Sequence, residues 1–133
     1  MDAEAAARAW IEGWKRAWPV ADAERVAAMY TDEAVYRSHP FREPHIGTAG
    51  VLDYARTAFG EETGVEFWFG QPVASGDRAC VEYWAILRDR VGKELTLAGV
   101  TVLRFAPDGR SEEHREYWSM QEGRREPPEG WGR

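Results

Sequence analysis

The sequence predicts an α+β fold: three N-terminal helices packed in the concave face of a strongly curved, mostly antiparallel sheet, shaped as a cone-like barrel. Three observations carry this. In the first half, Trp10, Trp14 and Trp18 recur at intervals of four and so share one helix face. In the second half, four β-type segments are joined by short glycine-containing turns, which make neighbouring strands antiparallel. Finally, 133 residues hold seven Trp, five Tyr and five Phe, more rings than so small a core absorbs unless some line a concavity or an interface.

The first helix is predicted over residues 3–18, and Pro19 ends it. Asp22 is the N-cap expected for a second helix over 23–30, with Val26, Met29 and Tyr30 as its apolar stripe. Thr31, Asp32 and Glu33 break that pattern. A short strand over 34–39 follows, then a loop over 40–47, then a third helix over 49–59 capped by Thr48 and closed by Gly60. Strands are expected over 65–73, 78–88, 94–105 and 111–121, with turns at 74–77, 89–93 and 106–110. Residues 1–121 form a single domain, and the polar stretch 122–133, with Pro127 and Pro128, is expected to be a mobile tail that Trp131 could anchor.

Net charge is −6, which disfavours a phosphate-binding basic face, so no nucleic-acid partner is expected. The single Cys80 allows neither an internal disulfide nor a cysteine zinc cage. No apolar run reaches the length of a membrane span, and the start of the chain lacks an apolar signal core. The expected setting is cytoplasmic, without membrane, metal or cofactor.

Residues 22–36 (DAERVAAMYTDEAVY), 47–52 (GTAGVL), 76–84 (GDRACVEYW), 103–105 (LRF), 108–110 (DGR) and 115–118 (REYW) resemble the SnoaL-like branch of the nuclear-transport-factor-2-like superfamily. The resemblance covers nearly the whole chain. It implies a cone-shaped barrel with an apolar pocket and a homodimer formed through the outer sheet face. Its activities do not carry over intact. The Tyr, base Asp and oxyanion Asp of ketosteroid isomerases fall at Trp14, Ser38 and Thr101, and a one-residue shift would put His39 at the base position. There is no Asp–Arg–Asp grouping of the epoxide-hydrolase kind, and Arg104 is expected on the outer face. The acid–base Asp of the cyclases has no strand counterpart, because Asp77, Asp89 and Asp108 all lie in turns.

The remaining acid–base candidates are Glu82, Glu116, His39 and His114. Glu82 and Glu116 each stand two residues before a Trp, on the same strand face as that ring. Either that face looks into the cavity, where burial would tune the acids, or it looks outward with each Glu paired to an Arg. His114 shares the face of Glu116, and His39 ends the first strand at the expected pocket mouth. Expected ligand contacts are Trp14, Tyr36, Ser38, Phe41, Trp84, Thr101 and Trp118. Of Phe67, Trp68 and Phe69, one set must lie on the outer face. The functional expectation is a domain that binds a small hydrophobic or aromatic molecule. The alternatives are an isomerase, cyclase or hydratase/hydrolase using the pocket Glu and His, or a dimerising module without ligand.

Overall fold

Asp2 opens the first helix by accepting the backbone N–H groups of Glu4 and Ala5 at 2.9 and 3.4 Å. The computed structural model describes residues 1–133, and this helix, α1, spans Ala3–Ala17. Its buried stripe runs through Ala6, Trp10, Ile11 and Trp14. Pro19 cannot continue the hydrogen-bond ladder, so Trp18–Val20 tightens into a 3-10 turn that ends on a left-handed Ala21. Asp22 caps α2 (Ala23–Ala27) through the Arg25 N–H at 3.0 Å.

Here the structure departs from the expected eight-residue helix. Tyr30 is already extended, in β1 (Tyr30–Arg37), where it pairs with Ser111 of the last strand. Tertiary pairing wins because Tyr30 becomes wholly buried there. The expected loop contains a two-residue strand, β2 (His45–Ile46). Helix α3 (Gly47–Gly60) begins without a side-chain cap. Thr48 turns instead to β1, donating to the Tyr30 carbonyl at 3.3 Å and the Asp32 carboxylate at 3.1 Å. Gly47 is required at this junction: its φ is +71°, and a Cβ would lie 2.5 Å from the Asp32 carbonyl oxygen.

The remaining strands are β3 (Thr63–Phe69), β4 (Val73–Ser75), β5 (Arg78–Arg88), β6 (Glu94–Phe105) and β7 (Ser111–Glu122). The expected strand over 65–73 is broken at Gly70 to Pro72, where Pro72 has no N–H to give; β3 and β4 then pair with different stretches of β5. The sheet runs β2-β1-β7-β6-β5-β3, with β4 beside β5; only β1 and β7 are parallel. Helices cover one face, and no helix is long and apolar enough to cross a membrane.

Register decides which side chains face those helices. Val81, Thr101 and Glu116 lie side by side across β5, β6 and β7, as do Tyr83, Gly99 and Trp118. These rows turn inward. Glu82 and Trp84, one step out of phase on β5, therefore point outward, and the expectation that they share a cavity with Glu116 is corrected. Phe69 packs on the core, while Phe67 stacks on Trp18 with ring centres 5.0 Å apart.

The tail does not hang free of the domain. It returns across the outer face, the face expected to meet a second copy. The Trp84 indole donates to the Arg125 carbonyl at 2.7 Å, Gln71 N–H donates to the Gly132 carbonyl at 2.7 Å, and Trp131 sits edge-on to Trp84. Arg124 pairs with Glu66 and Glu126. Trp84 thus seats the tail and does not line the cavity under the helices.

Candidate functional site

The inward rows and the helices enclose a cavity of about 130 Å³, open at one end. Trp10 and Trp14 of α1, with Trp18 just beyond it, form one wall; their four-residue spacing places the rings in sequence along the helix. Tyr54 and Phe59 of α3 form another. From the sheet come Tyr36 and Ser38 at one side, Tyr83 and Thr101 at the other, and His114, Glu116 and Trp118 along β7.

A continuous polar chain crosses the floor. The Trp10 indole donates to the Tyr30 hydroxyl at 3.0 Å, and that hydroxyl lies 2.8 Å from His114 Nδ1. His114 Nε2 lies 2.9 Å from Glu116 Oε2. Because an indole N–H can only donate, the arrangement that satisfies every atom has Tyr30 O–H donating to Nδ1 and Nε2–H donating to the carboxylate. The His114 ring stacks on Tyr36 at 3.7 Å between centres. Glu116 accepts two further hydrogen bonds, from Tyr83 at 2.9 Å on Oε1 and from Tyr36 at 3.2 Å on Oε2. Two tyrosine hydroxyls and an imidazole thus hold one carboxylate in a largely apolar cavity.

Burial, reinforced by the Glu116 charge, raises the hydroxyls of Tyr30, Tyr36, Tyr54 and Tyr83 above the usual tyrosine value of 10.0. The folded chain keeps these protons where the unfolded chain loses them, so their contribution to stability is whole below about pH 10 and is lost as pH rises further. Tyrosinate absorbance from these rings should appear together with loss of the circular dichroism signal in alkaline titration. Gradual ionisation in a protein that stays folded would contradict this.

Two other ionisable groups reach the cavity. Glu62, between α3 and β3, accepts the Trp18 indole N–H at 2.6 Å. Its carboxyl is raised by burial, an effect the Trp18 hydrogen bond opposes. Arg42 lies over the Trp118 ring, 5.7 Å from its centre. The Trp118 indole in turn donates to the Ser38 carbonyl at 2.7 Å, tying β7 to the end of β1. The Trp14 indole N–H is buried with no hydrogen-bond partner.

Of the residues expected from sequence, Trp14, Tyr36, Ser38, Thr101, His114, Glu116 and Trp118 are brought together on this cavity. Glu82 and Trp84 are not, for the register reason above. His39 is also outside: it follows inward Ser38 by one residue, so its ring turns away, accepting the Phe41 N–H at 3.2 Å and meeting the edge of Trp118. Phe41 is 91% exposed and does not line the cavity. Tyr83, Tyr54, Glu62 and Arg42 were not foreseen. Tyr83 was legible, since Ala79, Val81, Tyr83, Ala85 and Leu87 form the more apolar alternate set of β5. Glu62 and Arg42 lie outside every predicted element and carried no local signal. No group of three His, Cys, Asp or Glu side chains converges as a metal site.

Comparison with known proteins adds the ancestry. A family model described as a SnoaL-like domain matches residues 7–114. Among solved structures, the chain resembles SalBIII, an epoxide hydrolase/cyclase-like enzyme of pyran ring formation in the polyether salinomycin. The TM-score is 0.75 at 17% identity, over 87% of this chain and 95% of that one. It also resembles a protein of ketosteroid isomerase-like fold from Catenulispora acidiphila, solved in complex with trimethylamine. There the TM-score is 0.73 at 14% identity, over 83% of this chain and 85% of that one. No functionally curated protein matches the sequence.

Proposed function

The chain belongs to the SnoaL-like domain family, within the nuclear-transport-factor-2-like superfamily, and from that premise we propose that it binds a small hydrophobic or aromatic molecule in the cone, with Glu116 as the polar group that meets it. One observation carries the reading: a carboxylate fixed by Tyr36, Tyr83 and His114 stands among aromatic walls. A core carboxylate surrounded by rings has a desolvation cost that packing alone does not explain. The cavity of about 130 Å³ suits a ligand of about one ring, since an apolar cavity of about 150 Å³ takes up benzene.

The His114–Glu116 contact favours a second reading, acid–base catalysis of the isomerase, cyclase or hydrolase kind. Glu116 would take or give a proton at a carbon or an epoxide oxygen, and His114, itself oriented by Tyr30, would hold the carboxylate in place. The test is turnover of small cyclic epoxides and unsaturated cyclic ketones. Glu116→Gln should lower kcat about 100-fold, whereas Glu82→Gln, on the outer face, should leave it unchanged. Turnover that survives Glu116→Gln would overturn catalysis by this residue. Calorimetric titration with single-ring compounds checks binding separately, and a cavity that takes up none of them would overturn the binding reading.

A further inference from the structure

Two carboxylates, Glu62 and Glu116, line the cavity, and neither forms an ion pair with a Lys or Arg side chain. Glu116 accepts two tyrosine hydroxyls, and His114 Nε2 lies 2.9 Å from its Oε2. Glu62 has only the Trp18 indole on Oε1, and its Oε2 has no hydrogen-bond partner. Arg42, the one guanidinium on the lining, forms no ion pair with either carboxylate and rests on the Trp118 ring instead. Buried charges are normally paired, and no guanidinium or ammonium group of the chain lies in ion-pair contact with either carboxylate. The walls between the two acids are aromatic faces, among them Trp14, Trp18, Tyr54 and Phe59. Such faces attract a cation through their negative quadrupole, and most strongly where water is excluded.

We infer that the ligand of this cone is a small organic cation of the alkylammonium class, held against the aromatic walls with Glu62 and Glu116 supplying its counter-charge. This rests on the reading of the cone as a ligand pocket and sharpens it. The two carboxylates on the lining disfavour an anionic guest such as a carboxylate or phosphate. The volume admits a trimethylammonium-sized head and little more. Glu62 is a specificity-determining residue in this account: it distinguishes a charged guest from an uncharged one of the same shape. Trp18 fixes its carboxyl through the 2.6 Å hydrogen bond.

The experiment is calorimetric titration of the full chain with choline, with its uncharged isostere in which a tert-butyl group replaces the trimethylammonium head, and with phenol. Choline should bind about tenfold tighter than the isostere, the size of effect a desolvated cation–π site yields. Glu62→Gln, with folding verified by circular dichroism, should erase most of that preference and leave the isostere's affinity unchanged. The wild-type comparison requires no variant. If the isostere binds as tightly as choline, or Glu62→Gln leaves the preference intact, the cationic assignment is overturned. If phenol or the isostere binds and choline does not, the pocket stands and only its charge preference fails. If none of the three binds, both readings fall.

Discussion

Replacing Glu116 by leucine should destabilise the protein by about 3 kcal/mol, read as a lower urea midpoint at unchanged slope. The substitution removes the common acceptor of Tyr36, Tyr83 and His114 and leaves three donors without a partner. Each buried, unsatisfied donor costs about 1–3 kcal/mol, and the apolar area gained by leucine returns about 1.5–3 kcal/mol. The asymmetry gives a second arm to the test. In a Glu116→Leu background, Tyr83→Phe removes one orphan hydroxyl and should recover part of the loss. In the wild type, Tyr83→Phe alone should cost stability. A leucine variant as stable as the parent would show that this network does not hold the floor of the cone.

Gly99→Ala should be as damaging, at about 3 kcal/mol, although it adds only one methyl group. A Cβ at this position would stand 2.5 Å from the Tyr117 carbonyl oxygen and 2.6 Å from the Trp118 Cβ. These are backbone and near-backbone atoms of the paired strand, which cannot swing aside as the end of a long side chain can. The clash falls on the row Tyr83–Gly99–Trp118, so relief requires β6 and β7 to separate where both carry cavity residues. Glycine in the middle of a strand marks a bend or a close backbone approach, and Gly99 is the approach that lets Trp118 lie over the cavity. An alanine variant that melts with the parent would refute this. Gly76, in a turn, has no such clash, since an added Cβ there meets nothing within 4 Å and its φ of +62° leaves only backbone strain.

How far the site was readable depended on what local pattern can encode. His114 and Glu116 are two residues apart on a strand, so they share a face whatever the rest of the chain does, and the structure joins them at 2.9 Å. The same rule linked Glu82 to Trp84 correctly but left open which way their face looks, and the structure turns it outward. Both alternate sets of β5 carry a large ring, Tyr83 on one and Trp84 on the other, so aromatic content could not separate them. The outer ring tolerates its position because the tail covers it, with Arg125 accepting the Trp84 N–H and Trp131 packed at its edge. That cover comes from residues more than thirty positions along the chain and has no periodicity to read. Tyr30 was placed in a helix for a similar reason: its apolar spacing suits α2, and only pairing with Ser111 draws it into β1.

By itself the sequence determined the helix stripes, the hairpin turns and the pairing of residues that share a face, because each is a consequence of backbone period or turn geometry over a few residues. It also determined that the rings exceeded what a small core requires. The tertiary structure alone decided which strand faces turn inward, and that choice placed Glu116 among Tyr36, Tyr83 and His114 and Glu82 outside. Only there did Glu62 and Arg42 join the cavity. The physical reason is that a strand's alternation defines two faces relative to each other but does not say which is inside. That sense is set when the helices settle on one side of the sheet and bury its more apolar face, while the tail shelters the rings left on the other.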